Sequence, residues 1–371
     1  MGVMGFSELQ ARLRRQLGAG SPSDMTFGTL LVLPSISFPH SELSKIIGIE
    51  FYEERLLFTL LQLKAPDLRM VYVTSLRVEE PIVDYYLGFI DPEIRPGERL
   101  YLIALWDPRP LALSTKLLEK PEALDRLAQL AEGDSCLLAF NVTDAEREVA
   151  ERIGVPLYGC PPDLVYLGSK SGSRQVARAA GVPVLEGSED LFSLRDVHAA
   201  LKDLAARRPD VKDAVIKLNH GFSGQGNAVV PLARLADPLT NTPTVFCATE
   251  ESWESFGEKI AAEGAIVEEM LRGKGLRSPS VQVRIAPDGS HEVISTHDQI
   301  LGGPDDQVYL GCRFPASESY RLEIQDAGRR VAKVLAERGA MGSFGIDFVF
   351  VEGGEIYLSE INLRMGGTTH P

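Results

Sequence analysis

Cysteine is scarce in this sequence, with four in 371 residues. Cys136, Cys160, Cys247 and Cys312 lie far apart and form no C-x-x-C pair, so neither a disulfide framework nor a zinc site is expected. Long apolar runs are missing too, and nothing approaches the roughly 18 residues of a membrane-spanning helix. Residues 1–20 carry Arg12, Arg14 and Arg15 but no apolar stretch of a secretory signal. The Met-Gly start does not continue as a myristoylation site, because Phe6 stands where Ser or Thr is needed. The expectation is a cytoplasmic protein without a membrane partner. Positive charge is also in short supply, and the formal net charge is −14. A nucleic-acid binder needs a basic surface to displace counterions, so no nucleic-acid partner is expected.

What is present is the composition of a folded globular chain, 44% apolar and 24% charged. The length exceeds one ordinary core and implies two or three domains. Strand patterns at 29–33, 70–74, 100–104 and 136–140 alternate with helical patterns at 42–63, 80–90, 121–131 and 144–153. That alternation predicts a mostly parallel sheet with helices on both faces. Gly154 closes the last of these helices, and Cys160-Pro161-Pro162 marks a boundary. Beyond it the pattern predicts a helix over 169–180, strands at 214–218 and 228–231 around a glycine-rich loop, and a strand at 265–270. The remainder predicts a strand-rich layer at 281–286, 292–296 and 307–309. A helix over 322–338 and a hairpin, 346–351 with 355–361, complete it. The expected fold class is α/β followed by α+β, divided at residues 1–162, 163–270 and 271–371.

The hairpin carries the strongest chemical signal. Gly353-Gly354 is a preferred two-residue turn and would pair Glu352 with Glu355. Counting outward sets Asp347 opposite Glu360, with Asn362 on the same face. Facing positions put Cβ atoms roughly 5 Å apart. Two like charges there repel by about 3 kcal/mol at an effective dielectric of about 20. The neighbours Phe348, Val349, Phe350, Val351, Ile356, Tyr357 and Leu358 make both faces apolar. A good cross-strand pair returns only about 0.2–1 kcal/mol. The arrangement therefore calls for a cation, and two acids with an amide suit Mg²⁺ shared with phosphate oxygens. The competing reading is a shifted register with separate, solvated acids.

The glycine loop is weaker evidence. Gly221, Gly224 and Gly226 are spaced G-x-x-G-x-G between two strands, with neither the helix of a dinucleotide fingerprint nor a Walker Gly-Lys-Ser/Thr. Its backbone N–H groups could fold over phosphates, or it could be a plain hairpin. Lys217 interrupts an apolar strand, where a charge is expensive unless paired. Lys170 sits in the first turn of a helix, against the dipole, and a phosphate there would satisfy both the free N–H groups and the lysine. Each lysine alone reads as a surface residue; together with the loop they favour a polyphosphate.

In order, these pieces resemble the ATP-grasp superfamily: Lys170, Lys217, Val267-Glu268-Glu269-Met270-Leu271, Asp347 and Glu360-x-Asn362-x-Arg364. The similarity covers about residues 163–371, and the first domain matches the α/β domain that precedes a two-lobed ATP-grasp fold. The resemblance implies that Lys170 and Lys217 hold the α- and β-phosphates of ATP, under a loop of Gly221, Phe222, Ser223, Gly224 and Gly226. It implies that the backbone at Glu268, Glu269, Met270 and Leu271 reads the adenine edge. Asp347, Glu360 and Asn362 would carry two Mg²⁺ ions. The wording of residues 218–227, 295–299 and 362–370 is similar to the pheganomycin-type peptide ligases, which activate an amino-acid-like carboxylate for a peptide amine. That implies ATP-dependent carboxylate–amine ligation through an acyl-phosphate. The alternatives are a bicarbonate-using carboxylase relative and a non-catalytic ATP-binding module.

Two departures from the family pattern matter. No acid occurs in 273–282 to hold a ribose, which leaves Ser280 or Gln282. Gly345 stands where D-alanine ligase relatives have an arginine. The catalytic cation is therefore expected to be Arg364, with Arg284 and Arg313 in reserve. His297, Asp298 and His370 are candidates for taking the amine proton, against a plain structural role. Gly366, Gly367 and Thr368 are candidates for oxyanion and substrate contacts. The family also implies further elements beyond Pro371, so a shortened chain is expected, with a homodimer as the default assembly.

Overall fold

The computed structural model describes residues 5–90, 94, 97–131, 133–220, 226–248, 250–272, 275–302, 308–351 and 353–369. The first sheet contains β1 (Phe27–Leu33), β2 (Asp67–Thr74), β3 (Leu100–Ala104), β4 (Ser135–Ala139) and β5 (Leu157–Tyr158). All of its pairings are parallel, in the order β3-β2-β1-β4-β5. The strand order reverses between β1 and β4, and the loops beyond their carboxyl ends form the crevice where open α/β sheets bind ligands. Those loops are tied together there. The Ser37 amide donates to Asn141 Oδ1 at 2.9 Å, and Asn141 Nδ2 donates to the Ser37 carbonyl at 3.2 Å.

Local sequence accounts for most of these elements. The helix Asp144–Ile153 begins at a capping box of Thr143 and Glu146 and ends at Gly154 in the left-handed region, φ 69°. The expected helix over 42–63 is not formed. A short helix His40–Leu43 stops, Gly48 turns left-handed at φ 72°, and 3₁₀ turns run from Ile49 to Lys64. Leu57, Leu60 and Leu63 are buried at three-residue spacing, which suits a three-residue turn.

The middle sheet is antiparallel, in the order β6-β10-β7-β8-β9. It is built from β6 (Gly187–Leu191), β7 (Asp213–Leu218), β8 (Asn227–Pro231), β9 (Val245–Phe246) and β10 (Ala265–Glu269). The helices Leu194–Arg207 and Trp253–Glu263 pack with it. The last sheet holds β11 (Leu276–Arg277), β12 (Pro279–Ile285), β13 (His291–Gly302), β14 (Val308–Arg313), β15 (Gly342–Val351) and β16 (Ile356–Asn362). β15 pairs with β11 and β12 on one register and with β16 on another. The helix Arg321–Glu337 lies across β12 and β13, with Gly328 where an added Cβ would meet Val281 at 2.9 Å. No described helix is long and apolar enough to cross a membrane.

The apolar cores divide unevenly. One cluster joins a face of the first sheet (Leu30, Val32, Tyr72) to the last sheet (Val281, Phe344, Ile346). The middle sheet has its own cluster around Ile216, Val230 and Val267. The main cleft opens between these two bodies.

Candidate active site

The cleft has a volume of about 1140 Å³. A single-ligand pocket typically holds roughly 300–1,000 Å³, so a nucleotide and a further substrate fit together. Its wall includes Lys170, Lys217, Glu268, Glu269, Met270, Leu271, Asp347, Glu360, Asn362 and Arg364.

Asp347 on β15 faces Glu360 on β16. The register arrives there by a different route from the one expected. Phe350 pairs with Ile356, one residue out of step with a two-glycine turn, and Ser359 is an extra residue that restores step between Phe348 and Asp347. Asn362 pairs with Gly345, and its Nδ2 donates to Asp347 Oδ2 at 2.9 Å. Burial, reinforced by the charge of Glu360, pushes the Asp347 carboxyl up to about 6. Burial would raise Glu360 as well, but Lys170, Arg364 and Lys217 outweigh it and hold that carboxyl below its usual range. The pair is thus one ionised acid and one reluctant acid.

Lys170 reaches this pair from the helix Lys170–Ala179, and its Nζ donates to Glu360. The helix is pinned close beneath β16. The Ile361 amide donates to Ser173 Oγ at 2.9 Å. Gly172 leaves no room for a side chain, since an added Cβ would lie 1.9 Å from the Tyr166 carbonyl oxygen. The expectation that a phosphate caps this helix is corrected. The Lys170 and Ser171 amides donate to the carbonyl and Oδ1 of Asn219, and the Gly172 amide donates to Ser169 Oγ. Only the lysine side chain is left to meet an anion.

Lys217 on β7 ion-pairs with Glu268 at 2.5 Å. Glu268 also takes the guanidinium of Arg174, at 3.1 Å. Arg174 is fully buried, four residues after Lys170 on the same helix, and bridges Glu189, Glu268 and the Leu185 carbonyl. Sequence reading missed it, although its spacing from Lys170 places both on one helix face. The amides of Glu269 and Met270 donate to the carbonyls of Glu186 and Asp213, so neither is free to read an adenine edge.

Arg364 follows β16 and lies half-buried against Phe38, with its guanidinium carbon 5.4 Å from the ring centroid. It donates to the Met365 carbonyl at 3.0 Å and to Asn362 Oδ1 at 3.3 Å. Burial lowers its affinity for its proton, and Glu360 and Asp347 counter that.

A family model described as IQCH-like, ATP-grasp, matches residues 162–239 and 233–355. This chain belongs to the ATP-grasp family. It is 31% identical over 356 residues to an L-propargylglycine–L-glutamate ligase from Streptantibioticus cattleyicolor, covering 92% of this chain and 72% of that protein. That agrees with the resemblance to pheganomycin-type ligases. It is 22% identical to IQ motif-containing protein H from Danio rerio, over 86% of this chain and 35% of that protein. Among solved structures, a biotin carboxylase–β,γ-ATP complex from Campylobacter jejuni shares the fold. The TM-score is 0.60 at 18% identity, over 92% of this chain and 66% of that one.

Other expected residues of this ATP-grasp chain fall in varied places. Gly366, Gly367 and Thr368 line the cleft beside Arg364, and Gly226 precedes β8, where its carbonyl accepts from the Leu218 amide at 2.9 Å. Gly221, Phe222, Ser223, Gly224 and His370 lie outside the described residues. Arg284 is not brought to the cleft. It binds Glu292 and donates to Ser21 Oγ at 2.7 Å, at the far end of β12. Arg313 is exposed on the edge strand β14, in register with the cleft residue Asp298, and does not itself line the cleft. Asp298 is committed to the Ser317 amide (3.0 Å) and the Tyr320 hydroxyl (2.5 Å), which leaves it unsuited to proton removal. His297 is buried, and burial lowers it to about 4, so it stays neutral and a weak base. Ser280 and Gln282, expected beside a ribose, lie in register with Asp347 and Gly345 instead. A side chain at Gly345 would meet Gln282 Nε2 at 2.9 Å, so that amide fills the space beside the glycine.

The donor set fits magnesium. Two facing carboxylates and one carboxamide are hard oxygen ligands at the mouth of a cleft. No group of three or more His, Cys, Asp or Glu is placed to hold a metal ion among the described residues. So lean a set suits an ion that completes its shell with water and phosphate.

Proposed function

We propose that this ATP-grasp ligase phosphorylates the carboxylate of an amino-acid-like substrate and transfers the acyl group to the amine of a second amino acid or peptide. The observation that carries the reading is the facing pair Asp347–Glu360 with Lys170 against it, in the cleft that Lys217 also lines. Each cation answers an acid, Lys170 to Glu360 and Lys217 to Glu268. Binding of ATP exchanges these pairs, as the lysines turn to phosphate oxygens. Asp347, Glu360 and Asn362 would hold magnesium, two ions in this reading, which would supply countercharge to the transferring phosphoryl group.

A carboxylate oxygen attacks the γ-phosphorus, the bond to the bridging oxygen breaks, and ADP leaves. The amine then attacks the acyl carbon and inorganic phosphate departs. Arg364 orients the carboxylate and faces the oxyanion of that second step, with the N–H groups of Gly367 and Thr368 beside it, since those of Gly366 and Thr369 donate within their own turn. Enclosure between the two bodies keeps water from the acyl-phosphate.

The test is ADP release screened over pooled amino acids and peptides, with mass spectrometry of the product. The reading requires release that depends on an amine and yields an amide. Release that follows bicarbonate and yields no amide would replace it with a carboxylase.

A further inference from the structure

The 3₁₀ segment Ile49–Lys64 sends side chains in two directions. Glu53 points into the first sheet, where Ser75 donates to it through its amide and through its hydroxyl at 2.6 Å. The Tyr72 hydroxyl fixes the Glu53 carbonyl at 2.6 Å. Tyr52 and Arg55 line the cleft instead. They are three residues apart, and i and i+3 eclipse in a 3₁₀ turn. The Arg55 guanidinium carbon accordingly sits 4.0 Å from the Tyr52 ring centroid. Stacking fixes the plane of the guanidinium and leaves its N–H edge for an anion. Ile36, Phe38 and Ile46 form an apolar wall of the same cavity.

Two arginines therefore front one cavity from different layers, each against an aromatic ring. Arg364 has Glu360 and Asp347 as countercharges. Arg55 forms no ion pair with an acid among the described residues, and its charge acts against Arg364. A cation held by a pinned segment, facing a second cation across a partly desolvated cleft, is stabilised when an anion comes between them.

We propose that Arg55 binds a second substrate carboxylate, distinct from the one ATP phosphorylates, while Tyr52, Ile36, Phe38 and Ile46 receive the apolar side chain beside it. This rests on the ligase reading above. The ligand class is an amino acid or short peptide with a free carboxylate. That group belongs either to the acceptor or, as a second acid, to the donor.

The experiment takes the amino-acid pair with the highest ADP release from the screen. It compares wild type with Arg55→Gln and Arg55→Lys, using the acceptor as the free acid and as its carboxamide and, where the donor carries a second acid, the donor with that second acid free or as the carboxamide, one at a time. Wild type should prefer one free acid over its amide by about 10- to 100-fold in kcat/KM. Arg55→Gln should lose that preference by slowing the acid alone, Arg55→Lys should restore part of it, and KM for ATP should not move. The substrate whose amide abolishes the preference is the source. An equal loss on acid and amide, no loss on either, or a raised KM for ATP would overturn the assignment while leaving the ligase reading intact. No turnover by wild type with any pair would remove the ligase reading and this inference with it.

Discussion

Two clusters of buried charge stand about the cleft, and they are finished to different degrees. Behind the first sheet, Lys116 donates to Ser75 Oγ at 2.7 Å and to the Asp107 carbonyl at 3.0 Å, and Ser75 donates to Glu53. Lys116 and Glu53 are only 1% and 5% exposed, and protein atoms answer both. In the last sheet, Asp347 and Glu360 face each other at a wall of open volume, with one amide and one ammonium between them. The first cluster is closed and holds the 3₁₀ segment to its sheet. The second stays open to the cleft and keeps Asp347, an acid that burial and Glu360 make reluctant to ionise, where a metal and a nucleotide would meet it. If that distinction is sound, the two clusters must fail in opposite ways when cut.

The largest effect belongs to the open pair. Asp347→Asn should lower ADP release by about three orders of magnitude, since the charge on the transferring phosphoryl group loses a stabilisation of several kcal/mol. The same change removes a like-charge repulsion, so the unfolding midpoint should hold or rise. Thermal denaturation beside the ADP assay reads both, and a fall in stability that tracks the loss of rate would make the pair structural. Lys116→Met should do the reverse. It leaves Glu53 buried without its cation and should cost about 3 kcal/mol in urea unfolding at pH 8, while KM for ATP moves little.

The sequence revealed the open pair more readily than the closed one, for physical reasons. Two acids in apolar strands are conspicuous by their cost, and Asp347 opposite Glu360 was legible on that ground. The count was right through two compensating departures, an extra residue in the turn and the bulge at Ser359. The helix Asp144–Ile153 and the strand Leu100–Ala104 were legible to the residue, because a capping box and a short apolar run have local causes. Glu53, Lys116 and Arg174 were not. Each is stabilised by partners far along the chain, and in sequence each looks like an ordinary charge on a helix. Tyr52 and Arg55 stayed hidden because 42–63 reads as one α-helix until Gly48 is seen to break it.

The closed cluster can also be probed by pH. Burial pushes Glu53 up to about 7, against the opposing pull of Ser75 and Lys116. Its ordinary value is 4.5. Between these values the folded chain holds a proton that the unfolded chain has released. This residue's share of stability is therefore full below about pH 4.5 and declines as pH rises through about 7, by about 3 kcal/mol in all. Glu53→Gln should abolish that decline, so the variant gains on wild type from pH 5 to pH 7.5 in urea titrations. Parallel curves would mean that Glu53 is ionised throughout and paired as strongly as a surface acid.

The smallest effect tests how the open pair is supported from beneath. Ser173 Oγ accepts the Ile361 amide, one residue from Glu360. Ser173→Ala leaves that buried N–H without its partner, at a cost of about 1–2 kcal/mol. Lys170 stands on the same helix, so loosening this contact also loosens the ammonium that faces Glu360. ADP release should fall by less than about tenfold, since no charge is removed and Asp347 keeps its place. A loss approaching that of Asp347→Asn would mean that the open pair depends on rigid support, not on charge alone. No change in either stability or rate would mean that β16 holds its position through its ladder with β15, and that the helix beneath it serves only to deliver Lys170.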